Sequence, residues 1–273
     1  MKWFRRENGE EDELDLSAVK RVLLISGAGI SQESDIPTFR DQDGLWSHYD
    51  PAEFATAEAI TNNLNRVWAF VDALRLEMAA AEPNAAHLVT ARLEQFYDVV
   101  VCTQNIDGLH QKAGSSNVIE VHGNAFRARC DTCERRWPLP AAPLFGEEDY
   151  RTFSPPTDLL PRCDVCGRSA RPDVVLFNER YGEEMQAVTE ALRKGVYLVV
   201  IVGTSGGVPT PYYIGLDAYR RYFCPVIDIN PSETLNDGFH LFPIALRLNK
   251  RATEGMQVVW DLLARARRNG AVR

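Results

Sequence analysis

Short apolar runs recur along the chain, each closed by a glycine or a polar residue. RVLLIS (Arg21–Ser26) stops at Gly27, and DVVVCT (Asp98–Thr103), VIEV (Val118–Val121), DVVLF (Asp173–Phe177), VYLVVIVG (Val196–Gly203) and PVIDIN (Pro225–Asn230) repeat the pattern. Continuous β-branched runs without alternation belong to strands buried on both faces. Between several of them the period is that of helices. Asn84 is placed to cap a helix running to about Phe96. Glu183–Lys194 reads as a helix with Gly195 at its stop, and Met256, Val259, Leu263 and Ala266 mark one face of a last helix. Strands alternating with helices predict an α/β fold, a parallel sheet with helices on both faces.

Two stretches break the alternation. Pro51–Glu82 is alanine-rich, helical in pattern and without strand signals. Arg129–Arg171 carries a cluster of prolines (Pro138, Pro140, Pro143, Pro155, Pro156 and Pro161), which a regular sheet layer does not admit. The same stretch holds Cys130-x-x-Cys133 and Cys163-x-x-Cys166. Four thiolates complete a tetrahedral zinc site and leave no position open, so the metal is expected to hold a loop-rich module together and not to activate water. Disulfides or free thiols are the weaker readings of this spacing. The expected organisation is a polar segment over 1–16, a nucleotide-binding domain from 17–50, 83–128 and 172–273, a helical module over 51–82 and a zinc-binding module over 129–171.

Composition narrows the function. The 273 residues carry a net charge of −8, which argues against nucleic acid, whose phosphates need a basic surface, and suits lysine-bearing peptides. No apolar run reaches membrane-spanning length, and the acidic stretch Glu7–Asp15 is not a leader's apolar core. Cys102 and Cys224 stand alone in apolar runs, as buried thiols of a reducing compartment do. A cytoplasmic protein without membrane or nucleic-acid partners is expected.

Candidate chemistry gathers at strand ends. Gly27-Ala28-Gly29 would let backbone amides approach a phosphate, although Gln32 stands where a third glycine of the dinucleotide fingerprint belongs, and a plain strand-to-helix turn explains the pair equally well. Arg40 can pair with pyrophosphate and Phe39 can cover a reactive ring face. A second glycine turn, Gly203-Thr204-Ser205-Gly206-Gly207, falls at the same sheet edge and offers amides and hydroxyls, and Asn230 ends the next strand. TQNID (Thr103–Asp107) sets Gln104, Asn105 and Asp107 together, either to cap the next helix or to recognise a carboxamide such as nicotinamide. His122 follows a strand and can remove a proton from a hydroxyl near neutrality, with a solvent-facing histidine as the alternative. HExxH, GxSxG and Walker motifs are absent.

Taken in order, GAGISQESDIPTFR (Gly27–Arg40), DGLW (Asp43–Trp46), PNAAH (Pro83–His87), TQNIDGLH (Thr103–His110), VHGN, the two CxxC pairs, RPDVVLFNE (Arg171–Glu179), GTS and Ile229-Asn230 resemble the sirtuin family, the NAD-dependent protein lysine deacylases, in its bacterial-type branch. The match runs from about Lys20 to Leu263. The resemblance implies a Rossmann-like domain and a smaller domain of helical and zinc modules, with NAD and an acyl-lysine protein or peptide meeting between them. It implies that Ala28, Phe39 and Arg40 belong to the flexible cofactor loop, that Gly27, Gly29 and Ile36 also bind the cofactor, and that Ser31 lines the nicotinamide side. Asn105, Ile106 and Asp107 would line the nicotinamide side, Gln104 the ribose, Gly203, Thr204 and Ser205 the phosphates and ribose, and Asn230 the adenosine ribose, with Ala252 also binding the cofactor. His122 would be the catalytic base, with Asn105 beside it. Val174, Val175, Leu176, Phe177 and Asn178 would clamp the peptide as a third strand against Gly207 and Val208. Nicotinamide would leave as the acyl oxygen attacks the ribose, and the acyl group would end on ADP-ribose. ADP-ribosyl transfer or NAD hydrolysis in the same cleft, and a non-catalytic NAD-binding module, are the alternatives. Three departures stand out: Asp35 and Asn178 replace usual glycines, and Pro209 removes a strand amide beside Val208. Val71 and Leu74 stand where sirtuins that remove acidic acyl groups carry a Tyr-x-x-Arg pair, with Arg75 adjacent.

Overall fold

The computed structural model describes residues 4–5, 11–12, 14–38, 50–232 and 244–270. Two-residue strands β1 (Phe4–Arg5) and β2 (Glu11–Asp12) pair antiparallel at the start. β3 (Arg21–Ser26), β4 (Asp98–Thr103) and β5 (Val118–Glu120) follow, then β6 (Gly123–Arg129), β7 (Arg136–Pro138) and β8 (Arg171–Val174), and finally β9 (Leu198–Val202), β10 (Val226–Ile229) and β11 (Leu246–Leu248). Six of these form one parallel sheet in the order β11-β10-β9-β3-β4-β5. The chain starts the sheet at β3 and reverses direction across it, so the loops leaving β3 and β9 lie side by side at its carboxyl edge.

Alternate residues of each run serve opposite faces. Val22, Leu24, Val99, Val101, Val200 and Val202 pack with Met256, Val259 and Leu263 of the helix Ala252–Gly270. Leu23, Ile25, Val100, Cys102, Val199 and Ile201 pack with Val188 and Leu192 of the helix Glu184–Arg193 and with Tyr212 and Leu216 of the helix Thr210–Tyr222. Each such side chain contributes about 1.5–3 kcal/mol by leaving water, which is why the inner strands read as apolar runs; β11, Leu-Arg-Leu at the sheet's edge, carries no such run and was not expected. The Asn84 side chain accepts from the Ala86 amide at 2.9 Å and caps the helix Ala85–Leu93, as expected. Gly195 follows the helix Glu184–Arg193 with φ at +93°, the left-handed stop.

One strand departs from expectation. The run at Asp173–Phe177 is not a member of the parallel sheet: β8 lies in a second, three-stranded antiparallel sheet, β7-β6-β8. Its apolar residues face the small-domain core of Phe54, Val67, Phe70, Val71, Leu74, Ala125 and Val174. Burial alone gives the same apolar signature whichever sheet provides it.

The stretch Pro51–Glu82 holds three helices, Pro51–Phe54, Ala57–Asn62 and Leu64–Ala79. The last is the hub of the small domain. Phe70, Val71 and Leu74 face the cleft, while Trp68 is buried with Ala128, Phe145, Leu160 and Ala170 against the cysteine module. The Trp68 indole donates to the Ala170 carbonyl at 2.8 Å. Arg75 pairs with Asp72 at 2.6 Å and donates to the carbonyls of Pro140 and Ala142. Asp72 also accepts from the Tyr150 hydroxyl and the Leu144 amide.

Candidate active site

The two glycine turns meet at the carboxyl edge. Gly27 and Gly29 donate to the carbonyls of Val202 and Gly203 at 3.1 and 2.8 Å. Those two amides are therefore spent on the neighbouring loop, where the sequence suggested a phosphate. What the glycines supply is closeness: a Cβ on Gly29 would sit 2.8 Å from Gly203 Cα, and one on Gly203 would sit 2.2 Å from the Ile30 nitrogen. No other residue lets the two turns approach so tightly. Ala28, Gly29, Gly203, Thr204, Ser205, Asn230 and Ala252 all line one cleft of about 350 Å³. Gly27 and Gly207 are not among its lining residues. Phe39 and Arg40 lie outside the described residues.

The polar end of β4 is fully engaged. Ser31 Oγ donates to Asp107 Oδ2 at 2.7 Å and accepts from Asn105 Nδ2 at 3.0 Å. Asp107 Oδ1 accepts from the Leu109 amide, so the capping role expected from local sequence is present. Burial raises the Asp107 carboxyl above its usual range, against the bonds from Leu109, Ser31 and Asn105 that lower it. Asn105 and Ile106 face the main cleft, and together with Ser31, Ile36 and Asp107 they line an adjoining cavity of about 340 Å³. Gln104 Oε1 accepts from Thr204 Oγ1 at 3.1 Å, and Asn230 Nδ2 donates to the Thr204 carbonyl at 2.9 Å. These bonds tie the ends of β4, β9 and β10 into one wall.

His122 stands in that wall, half-buried, directly after the end of β5. Its Nδ1 lies 3.0 Å from the Gln104 carbonyl and its Nε2 3.1 Å from the Tyr181 hydroxyl. Burial lowers its pKa, with the Gln104 contact acting in the opposite sense. The ring is therefore held neutral, as a base must be. Tyr181 was not singled out from sequence: a tyrosine three residues beyond Asn178 carries no local signal.

Val174, Val175, Leu176, Phe177 and Asn178 all line the cleft. The Val175 amide donates to the His122 carbonyl at 2.9 Å, and Phe177 exchanges backbone bonds with Ala55 and Ala57. The segment Val174–Asn178 is thus fixed to His122 on one side and to the helical module on the other. Val208 lines the cleft, but Ser205–Pro209 is not a strand: Pro209 immediately precedes the helix Thr210–Tyr222, where its missing N–H removes no strand bond. Asp35 and Asn178 both adopt left-handed backbone, φ 61° and 66°. Glu33, Phe70 and Arg251 also line the cleft and were missed, because only the folded chain brings them there.

The four cysteine sulfurs lie within 4.8 Å of one another, with contacts of 3.5, 3.5 and 3.8 Å. A tetrahedron of Zn–S bonds near 2.3 Å requires sulfurs about 3.8 Å apart, so the cluster fits one zinc. Matching turns present the two pairs: the amides of Glu134 and Gly167 donate to the carbonyls of Cys130 and Cys163, at 2.8 and 2.9 Å. Among the described residues no helix is long and apolar enough to cross a membrane.

The chain is similar to known proteins over most of its length. The Sir2 family matches residues 27–210. An NAD-dependent protein deacylase of Thermus thermophilus is 38% identical over 259 residues, covering 93% of this chain and 94% of that protein. A solved Sir2 homolog–NAD complex superposes with a TM-score of 0.76 at 30% identity, covering 92% of each chain. A Sir2 protein solved with a deacetylated p53 peptide and 3'-O-acetyl ADP-ribose superposes with a TM-score of 0.72 at 28% identity, covering 90% of this chain and 95% of that one. By matched length, by fold and by motif order, this chain belongs to the Sir2, or sirtuin, family.

Proposed function

We propose that the chain is an NAD-dependent protein lysine deacylase that moves the acyl group of an acyl-lysine peptide onto ADP-ribose and releases nicotinamide. The observation that carries the reading is the convergence on one cleft of a neutral imidazole (His122), a bonded amide–carboxylate–hydroxyl cluster (Asn105, Asp107, Ser31) and two interlocked glycine turns. These residues fit NAD: Ser205 and Asn230 offer polar groups along the cleft, and the Asn105–Ile106–Asp107 cavity suits a flat carboxamide ring. When bound, NAD supplies the leaving nicotinamide and the ribose that receives the acyl group. Asn105 and Ser31 orient polar atoms at the nicotinamide side, and Leu74 and Ile106 exclude water there. His122 Nε2 takes a proton from a ribose hydroxyl. The zinc of Cys130, Cys133, Cys163 and Cys166 holds the module that supports β8 and takes no part in the chemistry.

The acyl end of the cleft is apolar, lined by Ala55, Phe70, Val71, Leu74, Ile106 and Val174. Arg75 is committed to Asp72 and two carbonyls and is 1% exposed, so it is no counter-ion for an acidic acyl group. Uncharged acyl chains are the substrates this lining favours. A protein substrate in the cytoplasm completes the reading, consistent with the reduced thiols of Cys102 and Cys224.

The test is incubation of NAD with acetyl-, butyryl- and succinyl-lysine peptides, followed by mass spectrometry. Free lysine with O-acyl-ADP-ribose, and an uncharged acyl group preferred over succinyl, is the expected result. ADP-ribosylated peptide or free ADP-ribose alone would move the assignment to transfer or hydrolysis, and no nicotinamide release would refute an enzyme.

A further inference from the structure

His122 is bonded at both ring nitrogens, and the direction of each bond follows from its partner. The Gln104 carbonyl only accepts, so Nδ1 carries the proton of the neutral ring and Nε2 presents its lone pair. Tyr181 therefore donates its hydroxyl proton to Nε2. The Tyr181 oxygen in turn accepts from the hydroxyl of Thr210, its other partner. The imidazole and phenol rings lie 5.8 Å apart, 21° from parallel. Tyr181 comes from the loop after β8, and Thr210, 7% exposed, opens the helix after β9. Two separate elements thus brace one hydroxyl against the nitrogen that the deacylase reading makes the base.

We propose that Tyr181 is a positioning residue for His122, its hydroxyl occupying the basic nitrogen in the free enzyme and giving way to the substrate's sugar hydroxyl during turnover. This rests on the deacylase assignment above. A donor to the lone pair favours the neutral ring and opposes premature protonation by solvent. Phenylalanine offers no such donor.

The nearby carboxylates are closed on partners of their own, and Arg180, beside Tyr181 in the chain, is exposed. Glu120 on β5 and Asp173 on β8 pair with Arg127, Arg136 also bonds Asp173, Glu179 pairs with Arg171, and Asp107 is bonded by Ser31 and Leu109. Glu183 and Glu184, following Tyr181, pair with Arg136. The turn Gly203–Pro209 carries no charged residue. The hydroxyl is thus the polar contact left to tune Nε2.

The test compares Tyr181→Phe with wild type in two ways. Ring resonances of His122, assigned by their loss in His122→Ala, are titrated by NMR in the free protein. The pH profile of deacetylation is measured beside nicotinamide–NAD exchange, which precedes the proton transfer. The midpoint of His122 is expected to rise by about half a unit or more, and the acid limb of deacetylation to move with it. The kcat of deacetylation is expected to fall about three- to tenfold, while exchange stays within about twofold. Thr210→Val should shift the midpoint in the same direction by less, and it decides the matter if Tyr181→Phe does not fold. An unchanged midpoint, or an equal loss of exchange and deacetylation, overturns the proposal. Because the titration needs no turnover, it stands apart from the deacylase assignment, which fails separately if wild type releases no nicotinamide.

Discussion

At Asp35 and Asn178 the backbone turns left-handed on residues that carry a Cβ, where the sirtuin pattern has glycine. Short polar side chains are the L-residues that tolerate this best, because they bond locally. The turns survive the substitutions, so neither departure removes the site's frame. Asn178→Ala is expected to lower stability by about 1 kcal/mol relative to Asn178→Gly, read from denaturant midpoints. Equal midpoints would show that the position bears no strain. His122→Ala is expected to abolish deacylation, a drop of at least about a hundredfold, with zinc content and circular dichroism unchanged. Near-normal turnover would defeat the base assignment. His122 and the Asn105–Asp107 cluster were legible because polar residues closing a buried apolar strand need a reason to be there. Tyr181 was not, since its meaning comes from a nitrogen 59 residues away in sequence.

Among elements, five of the six parallel strands were legible because burial on both faces forces an unbroken apolar run, while the edge strand β11, with Arg247 at its centre, was not. The pairing of β8 was not, for nothing local separates a strand of the large sheet from one beside β6. The cysteine module was legible from spacing, yet its dependence on the helix Leu64–Ala79 emerges only through Trp68 and the Arg75–Asp72 pair. Cys163→Ser is expected to lose zinc and solubility, checked by metal content against protein concentration. Full stoichiometric zinc in that variant would contradict a four-thiolate site. Arg75→Met leaves the Asp72 carboxylate buried without its cation and is expected to cost about 3–5 kcal/mol, seen as a lowered Tm with the module's bonds to that helix weakened. A loss below about 1 kcal/mol would mean that Tyr150 and the Leu144 amide suffice for Asp72.

The whole molecule answers to pH through a buried pair. His87 and His110 pack edge to face at 4.9 Å, and burial depresses them to about 4 and about 3. In the unfolded chain each protonates near its ordinary value, so between about pH 6.5 and pH 4 the unfolded state binds more protons. The stability from keeping them neutral is complete above that window and is lost as pH falls through it. For His87 alone the loss between about pH 7.5 and pH 5 is about 2 kcal/mol. His87→Gln is expected to flatten that part of the profile in urea unfolding, and an unaltered slope would remove His87 from the account. Strand order has a consequence in the cell. β3 is made early and ends in the middle of the sheet, yet one of its two neighbours is Leu198–Val202. On the ribosome, the first glycine turn must wait for the whole stretch from Gly29 to Gly203 before it meets the partner it locks against. Nascent chains that stop short of residue 203 hold only one of the two interlocked turns, so the cleft between them cannot close until β9 and its glycine turn have been made.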